Sequence, residues 1–301
     1  DSTPTVSGTA EVGSTVTVTI TDSNGNPVET QTPAVDGAGN WTFDASQLTD
    51  GTYTITATST DAAGNTATDT HTATIDITPP PVTLGAPADN SATNDNTPTV
   101  SGTAEVGSTV TVEIIDSNGN VVETQTPTVD ANGDWTFDAA QLADGSYTVE
   151  ATATDAANNS ASTTSSFEVD TIAPGVTLDA PADGELTNDD TPTISGTTDE
   201  PGAAVTVTIT DSNGNTIETL SPMVDANGNW SIDASQLPEG DYTATATATD
   251  AAGNDSQDAS AGFTIDLTGP TLNVESPIQG QLIATRDTNV NGSTEADATV
   301  T

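Results

Sequence analysis

The sequence predicts an all-β chain: a tandem array of antiparallel β-sandwiches, about seven strands each, joined end to end. Three observations carry this. The twelve residues "SGTAEVGSTVTV" stand at 7–18 and again at 101–112, a shift of 94 positions, and a fixed long period marks repeat architectures. Apolar residues are few but alternate strictly with polar ones, as in "TVTVTIT" (Thr15 to Thr21), the period of a half-buried strand. Turn signals recur every 8–12 residues or so, with no helical period between them, which points to a sandwich.

The period divides the chain. Pro4, Pro98 and Pro192 recur in "TPTVSG"-like segments, Trp41, Trp135 and Trp230 in "NWTFDA"-like ones, and Asp61, Asp155 and Asp250 in "TDAAGN"-like ones. The third copy has one extra residue in "TTDEPG" (Thr197 to Gly202). The expected repeats are residues 1–78, lacking the opening strand, 79–172, 173–268, and a partial fourth at 269–301.

Within the second repeat the strands follow in order. The first is expected at about Val82 to Ala86 and the second at Thr97 to Thr103. The third runs from Thr109 to Ile115, where "DSNGN" turns the chain. The fourth runs from Val121 to Thr128, where "DANGD" turns it again. The fifth is "WTFDA", the sixth "SYTVEATAT", and the seventh Ser162 to Val169. Period two then assigns the inward set: Val110, Val112 and Ile114; Trp135 and Phe137; Tyr147, Val149 and Ala151; Phe167 and Val169. The Thr residues between them face water. "DSNGN" recurs at Asp22, Asp116 and Asp211, and Asn-Gly between strands predicts a type I′ hairpin turn with positive φ at both central residues. Its Asp-x-Asn start also resembles a calcium loop, but no bidentate Glu follows at the required distance.

Composition narrows the partners. Against 45 Asp and Glu the chain has one Lys or Arg, for a formal charge of -44. Phosphate backbones and anionic membrane surfaces are repelled by such a charge; metal cations or a salty medium suit it. There is no cysteine, so no disulfide staples the repeats, and no run approaches transmembrane length. The first residues already lie inside a repeat, so the sequence reads as an internal segment and the lack of a signal peptide says little.

"DGTY", "DGSY" and "EGDY" place Tyr53, Tyr147 and Tyr242 at the start of the sixth strand, the pattern of the tyrosine corner in Ig-like sandwiches. With "TPTVSGTAE", "NGNW", "DGTYTITATSTDAAGN" and the junctions "IDITPP", "VDTIAP" and "IDLTGP", nearly the whole chain resembles tandem bacterial Ig-like domains of giant repetitive adhesins, the RTX-type and biofilm-associated surface proteins. The resemblance implies secretion to the bacterial cell surface, a monomeric stalk whose partners are its own neighbouring repeats, and in many members Ca²⁺ between domains.

The candidate site follows from that topology. In an Ig-like sandwich the second–third and sixth–seventh loops lie at the end where the chain enters. Asp76 of the first junction is then expected near Asp155 and Glu105 of the second repeat. Asp170 is expected near Asp250 and Asp199 or Glu200 of the third, and Asp266 opens the third junction. Carboxylates meeting without a basic residue call for a cation from solvent. The "TDAAGN" Asp residues also fit a plain turn, with the carboxylate bonded to local backbone. "TNDNTP" and "TNDDTP" (Asp95, Asp189, Asp190) lie at the opposite end, where they could cap a second site or simply shape a turn, the turn being favoured.

Enzymatic chemistry has little footing. The chain has one His (His71), no Cys and neither G-x-S-x-G nor H-E-x-x-H, and its carboxylates sit in repeated turns rather than one cleft. The Trp residues could be surface platforms for sugars, but their alternation with Phe43, Phe137 and Ile232 favours core. The expected function is a non-enzymatic extender of an adhesin, for surface attachment or biofilm formation. Two alternatives remain: repeats that themselves bind carbohydrate or ice, and an accessory array of a secreted polysaccharide-degrading enzyme.

Overall fold

The computed structural model describes residues 1–276, 279–281 and 290–294. They form two compact units, Asp1–Asp170 and Thr171–Thr301; the first holds repeats 1 and 2. In repeat 1 the strands are β1 (Thr5–Thr9), β2 (Thr15–Thr21), β3 (Pro27–Gln31), β4 (Asn40–Asp44), β5 (Gly51–Thr60) and β6 (Thr66–Ile75). A two-stranded sheet β1-β4 faces a four-stranded sheet β3-β2-β5-β6.

Repeat 2 contains β7 (Val82–Ala86), β8 (Ser91–Thr93), β9 (Thr99–Ala104), β10 (Thr109–Asp116), β11 (Val121–Gln125), β12 (Asp134–Asp138), β13 (Gly145–Thr154) and β14 (Ser160–Val169). Its sheets run β12-β9-β7 and β11-β10-β13-β14-β8. The opening segment is thus two strands, not the single one expected. β7 pairs antiparallel with β9 and β8 pairs parallel with β14. Between them Pro87 has no amide hydrogen to continue the first ladder, and Asn90 turns with φ of 58°. One segment therefore closes an edge of each sheet, which blunts edge-to-edge pairing.

Repeat 3 contains β15 (Glu185–Thr187), β16 (Thr193–Thr197), β17 (Ala204–Asp211), β18 (Thr216–Leu220), β19 (Asn229–Asp233), β20 (Gly240–Thr249) and β21 (Ala259–Ile265). Its sheets are β16-β19 and β15-β21-β20-β17-β18. Here the counterpart of β7 is reduced to bridges at Val176–Thr198 and Ala180–Ser195. In the fourth repeat β22 (Leu272–Ser276) pairs with β23 (Asn291–Thr294); residues 277–278, 282–289 and 295–301 lie outside the described residues.

Each of the first three repeats has its own apolar cluster. The inward set holds: Val110, Val112, Ile114, Trp135, Tyr147, Val149, Ala151, Phe167 and Val169 are buried, and Phe137 packs half-buried against them. All three Trp side chains are core, not surface platforms. A Cβ at Gly102 would meet the Trp135 ring at 2.5 Å and the Thr83 carbonyl at 2.0 Å, so only glycine lets the indole lie against β9 while β7 pairs outside it. Each tyrosine hydroxyl donates to a carbonyl four residues upstream: Tyr53 to Thr49 (3.0 Å), Tyr147 to Ala143 (2.8 Å) and Tyr242 to Pro238 (2.9 Å).

The hairpin turns differ from the expected type I′. At Asp22 the Gly25 amide donates to the Asp22 carbonyl and only Gly25 has positive φ (81°). The register then slips between Ile20 and Thr21, the three-residue loop with a glycine bulge. The cause is the aspartate. Its Oδ1 accepts the Asn24 and Asn26 amides (2.9 and 2.8 Å) and its Oδ2 the Asn26 side-chain amide (3.0 Å), which holds Asn24 out of the left-handed region. Asp116 and Asp211 do the same. The second strand of repeat 2 starts at Thr99 rather than Thr97 because Asp95 binds the Thr97 amide and hydroxyl (2.8 and 2.9 Å) in a turn; Asp189 repeats this at Thr191.

Candidate junction site

Repeat 1 leaves β6 through Asp76-Ile77-Thr78. This exit is fixed by its own repeat: Asp50, at the corner before β5, accepts the Ile77 amide (2.7 Å) through Oδ1 and the Thr78 hydroxyl through Oδ2. In repeat 3 Glu239 accepts the Thr268 hydroxyl in the same way (2.7 Å). Neither acidic residue was singled out from sequence. The signal was there in "TDG" and "PEG", an acidic residue just before the glycine of the tyrosine corner.

Asp76 then meets the β13–β14 loop of repeat 2. The Asn159 side-chain amide nitrogen lies 3.1 Å from the Asp76 carbonyl oxygen, 3.5 Å from Asp76 Oδ1 and 2.9 Å from Asp155 Oδ2. Asp76 and Asp155 are therefore brought together, as expected, but through an asparagine that sequence reasoning passed over. Its signal is the Asn four residues after the loop Asp in all three copies: Asn65, Asn159 and Asn254.

Asp155 is also a turn residue. Its Oδ1 accepts the Ala157 and Asn159 amides (2.8 and 2.9 Å). The Asn159 side-chain amide is the largest influence on its carboxyl; desolvation opposes it, and the backbone N–H groups add to it, so the carboxyl is held below the usual range. The two sequence readings of this loop are thus not exclusive: one carboxylate oxygen shapes the turn and the other faces the junction.

Glu105 lies on the neighbouring β9–β10 loop, held by its backbone. Its amide donates to the Pro81 carbonyl (3.2 Å), and its carbonyl accepts the Ser108 amide and hydroxyl (3.0 and 2.7 Å). Its side chain is exposed. Among the described residues no three carboxylate, histidine or cysteine side chains stand together as a ready-made metal cluster. The groups that do converge, a carbonyl and two carboxylates, are hard oxygen donors of the kind Ca²⁺ takes. The Asn159 N–H₂ stands among them as their common donor, and turned about, its amide oxygen would join the set. In kind, the donor set fits a hard cation.

The remaining candidates divide between the units. In the first, the Asp170 amide donates to the Thr93 carbonyl (3.0 Å), tying the exit of repeat 2 to β8. In the second, Asp199 Oδ1 accepts the Gly175 amide (2.6 Å), and the Glu200 amide lies 3.3 Å from Thr198 Oγ1. Asp250 is buried. Desolvation pushes its carboxyl up, but the Asn254 side-chain and backbone amides (2.7 and 2.8 Å) win and hold it low. Asp266 accepts the Thr268 amide (3.0 Å), as Asp76 accepts that of Thr78 (3.2 Å). His71 is exposed on β6 beside Asp69 (3.4 Å).

Comparison with known proteins agrees with the fold. The family model described as a bacterial Ig-like domain matches three times, at residues 1–77, 84–171 and 179–267, and a second one, bacterial Ig-like domain (group 3), matches 131–221. No curated protein matches. Among solved structures the chain is similar to a tetra-tandem repeat in the extending region of a large adhesion protein, with 29% identity over 98% of this chain and 84% of that one and a TM-score of 0.35. It is also similar to a structure concerned with host cell surface retention of a 1.5-MDa bacterial ice-binding adhesin, with 26% identity over 88% of this chain and 91% of that one and a TM-score of 0.37. With three successive matches spanning most of its length, the chain belongs to the bacterial Ig-like domain family.

Proposed function

We propose that the chain is a non-enzymatic extender of a large secreted adhesin. It carries a binding part away from the bacterial surface, and Ca²⁺ at the junctions stiffens it. The observation that carries the reading is the convergence of Asp76 and Asp155 on Asn159 in a chain with a formal charge of -44. One cationic side chain in the whole sequence leaves such junctions to be neutralised from solvent. The exit from repeat 1 is anchored to that repeat by Asp50 on one side and to repeat 2 by Asn159 on the other. A cation held by Asp76, Asp155 and Asn159 would add a charge-assisted link at the point where two repeats meet. Repetition itself supports a mechanical role, since each copy adds length and a further junction.

Small-angle scattering with excess Ca²⁺ and with chelator tests this. The expected result is a narrower distribution of lengths with Ca²⁺, lost in the Asp76→Asn, Asp170→Asn double variant, with unchanged circular dichroism. Identical scattering in all three samples would leave a passive spacer whose acidic surface is an adaptation to salt.

A further inference from the structure

Asn-Gly stands in five turns of repeats 1 to 3: Asn24-Gly25, Asn118-Gly119, Asn132-Gly133, Asn213-Gly214 and Asn227-Gly228. All five share one local frame. The Asn backbone amide donates to Oδ1 of the turn aspartate at 2.8–2.9 Å. The Gly amide donates to the carbonyl of the same aspartate at 2.9–3.1 Å, with Gly φ of 81–90°. Each Asn is exposed. Beyond that frame they fall into two groups. Gly133 and Gly228 are buried. Their carbonyls accept the Ala104 and Thr198 amides at 2.8 Å each, and a Cβ on them would stand 2.7 and 2.1 Å from the Ala104 and Thr198 carbonyl oxygens. These two turns are clamped to a neighbouring strand of the small sheet. Gly25, Gly119 and Gly214 instead sit at the exposed tips of the β2–β3, β10–β11 and β17–β18 hairpins, where a Cβ would meet nothing within 4 Å.

We propose that Asn24, Asn118 and Asn213 are sites of spontaneous deamidation, with water as the only co-reactant, and that the fold protects Asn132 and Asn227. At Asn118 the Gly119 nitrogen loses its proton and attacks the side-chain Cγ. A five-membered imide forms, and the side-chain nitrogen leaves as ammonia. Water then adds to either imide carbonyl and cleaves one C–N bond, which leaves aspartate or isoaspartate at that position. To bring the Gly nitrogen onto Cγ, the Asn-Gly peptide plane must rotate about the Asn Cα–C bond and carry the glycine with it. A following glycine has no Cβ to obstruct this. At a free tip the rotation breaks only the bonds of the turn itself. In a clamped turn it must also break the bond from Ala104 or Thr198, so reaction there waits on a larger and rarer opening. Each conversion adds one negative charge to a hairpin tip. The isoaspartate product also lengthens the backbone by a methylene between Asp116 and the Asn120 amide that its Oδ1 holds at 2.9 Å, which loosens the tip.

The test incubates the whole 301-residue chain in warm, mildly alkaline buffer and follows each turn by peptide mapping with mass spectrometry. Asn24, Asn118 and Asn213 are expected to convert at least about tenfold faster than Asn132 and Asn227, a factor set by the extra opening of the clamped turns. In concentrated urea, which removes the clamps, the five rates should converge. Asn118→Ser keeps the backbone amide that Asp116 binds, and should abolish conversion at that tip with unchanged circular dichroism. Equal rates at all five sites of the folded chain, or no conversion at the three tips, would overturn the proposal. So would a gap in rate that persists in urea, which would assign the difference to the preceding residue: Ser23, Ser117 and Ser212 at the free tips, Ala131 and Ala226 at the clamped turns.

Discussion

Asp155 spends its two oxygens on two tasks, and the other turn aspartates share the first of them. Asp22, Asp36, Asp61, Asp116, Asp130, Asp155, Asp211, Asp225 and Asp250 each accept the backbone amide four residues on, and all have carboxyls held below the usual range. A carboxyl lowered in the folded state binds fewer protons there than in the unfolded chain. Its contribution is present above the unfolded value near 4 and is lost as pH falls through the folded one. In about 1 M salt, where general self-repulsion is screened, the melting temperature should therefore be flat from pH 7 to 5 and fall steeply below about pH 4. A melting temperature that rises on acidification in that salt would mean the turn carboxylates add nothing. Trp135 gives the sharper residue-scale test. At 2% exposure, its replacement by Ala should destabilise repeat 2 by roughly 3–5 kcal/mol, read from chemical denaturation.

At the scale of the strand, alternation made most of the fold legible in the sequence. β10, β13 and β14 and their inward residues follow from period two alone, and Gly-x-Tyr announced the corner. What stayed hidden has physical reasons. β8 is three residues long with a parallel partner 76 positions away, Ser91 opposite Phe167, so no local period reveals it. The glycine bulge depends on aspartate oxygens binding the backbone, which overrules the Asn-Gly preference for a primed turn. At the junction, carboxylates drew attention because charge is conspicuous, while the neutral Asn159 that joins them was passed over. Gly102→Ala tests the role of β7. Its Cβ would strike both the indole and the Thr83 carbonyl, so β7 should detach and repeat 2 should lose about 1–3 kcal/mol or more. In repeat 1 a Cβ at Gly8 would meet the Trp41 ring at 2.4 Å, with no outer strand paired there among the described residues. Hydrogen exchange in β7 and β9 reads the difference; equal effects of the two changes would show that β7 is not held by this contact.

For the chain as a whole, three separate clusters predict three cores that unfold on their own terms. Repeat 1 should melt first. It has Ala73 where Phe167 and Phe263 stack on tyrosine rings at 5.6 and 5.7 Å. Calorimetry should resolve a low-temperature transition separate from the others; a single cooperative transition would contradict independent cores. The parallel pairing of β8 with β14 has a further consequence, one of mechanics. The chain enters repeat 2 by way of β7 and β8 and leaves from the end of β14. Tension along the backbone therefore drags these neighbouring strands in opposite directions, and their rungs resist together in shear rather than opening one by one like a zip. Three short rungs placed across the line of pull thus act as the clasp of the domain.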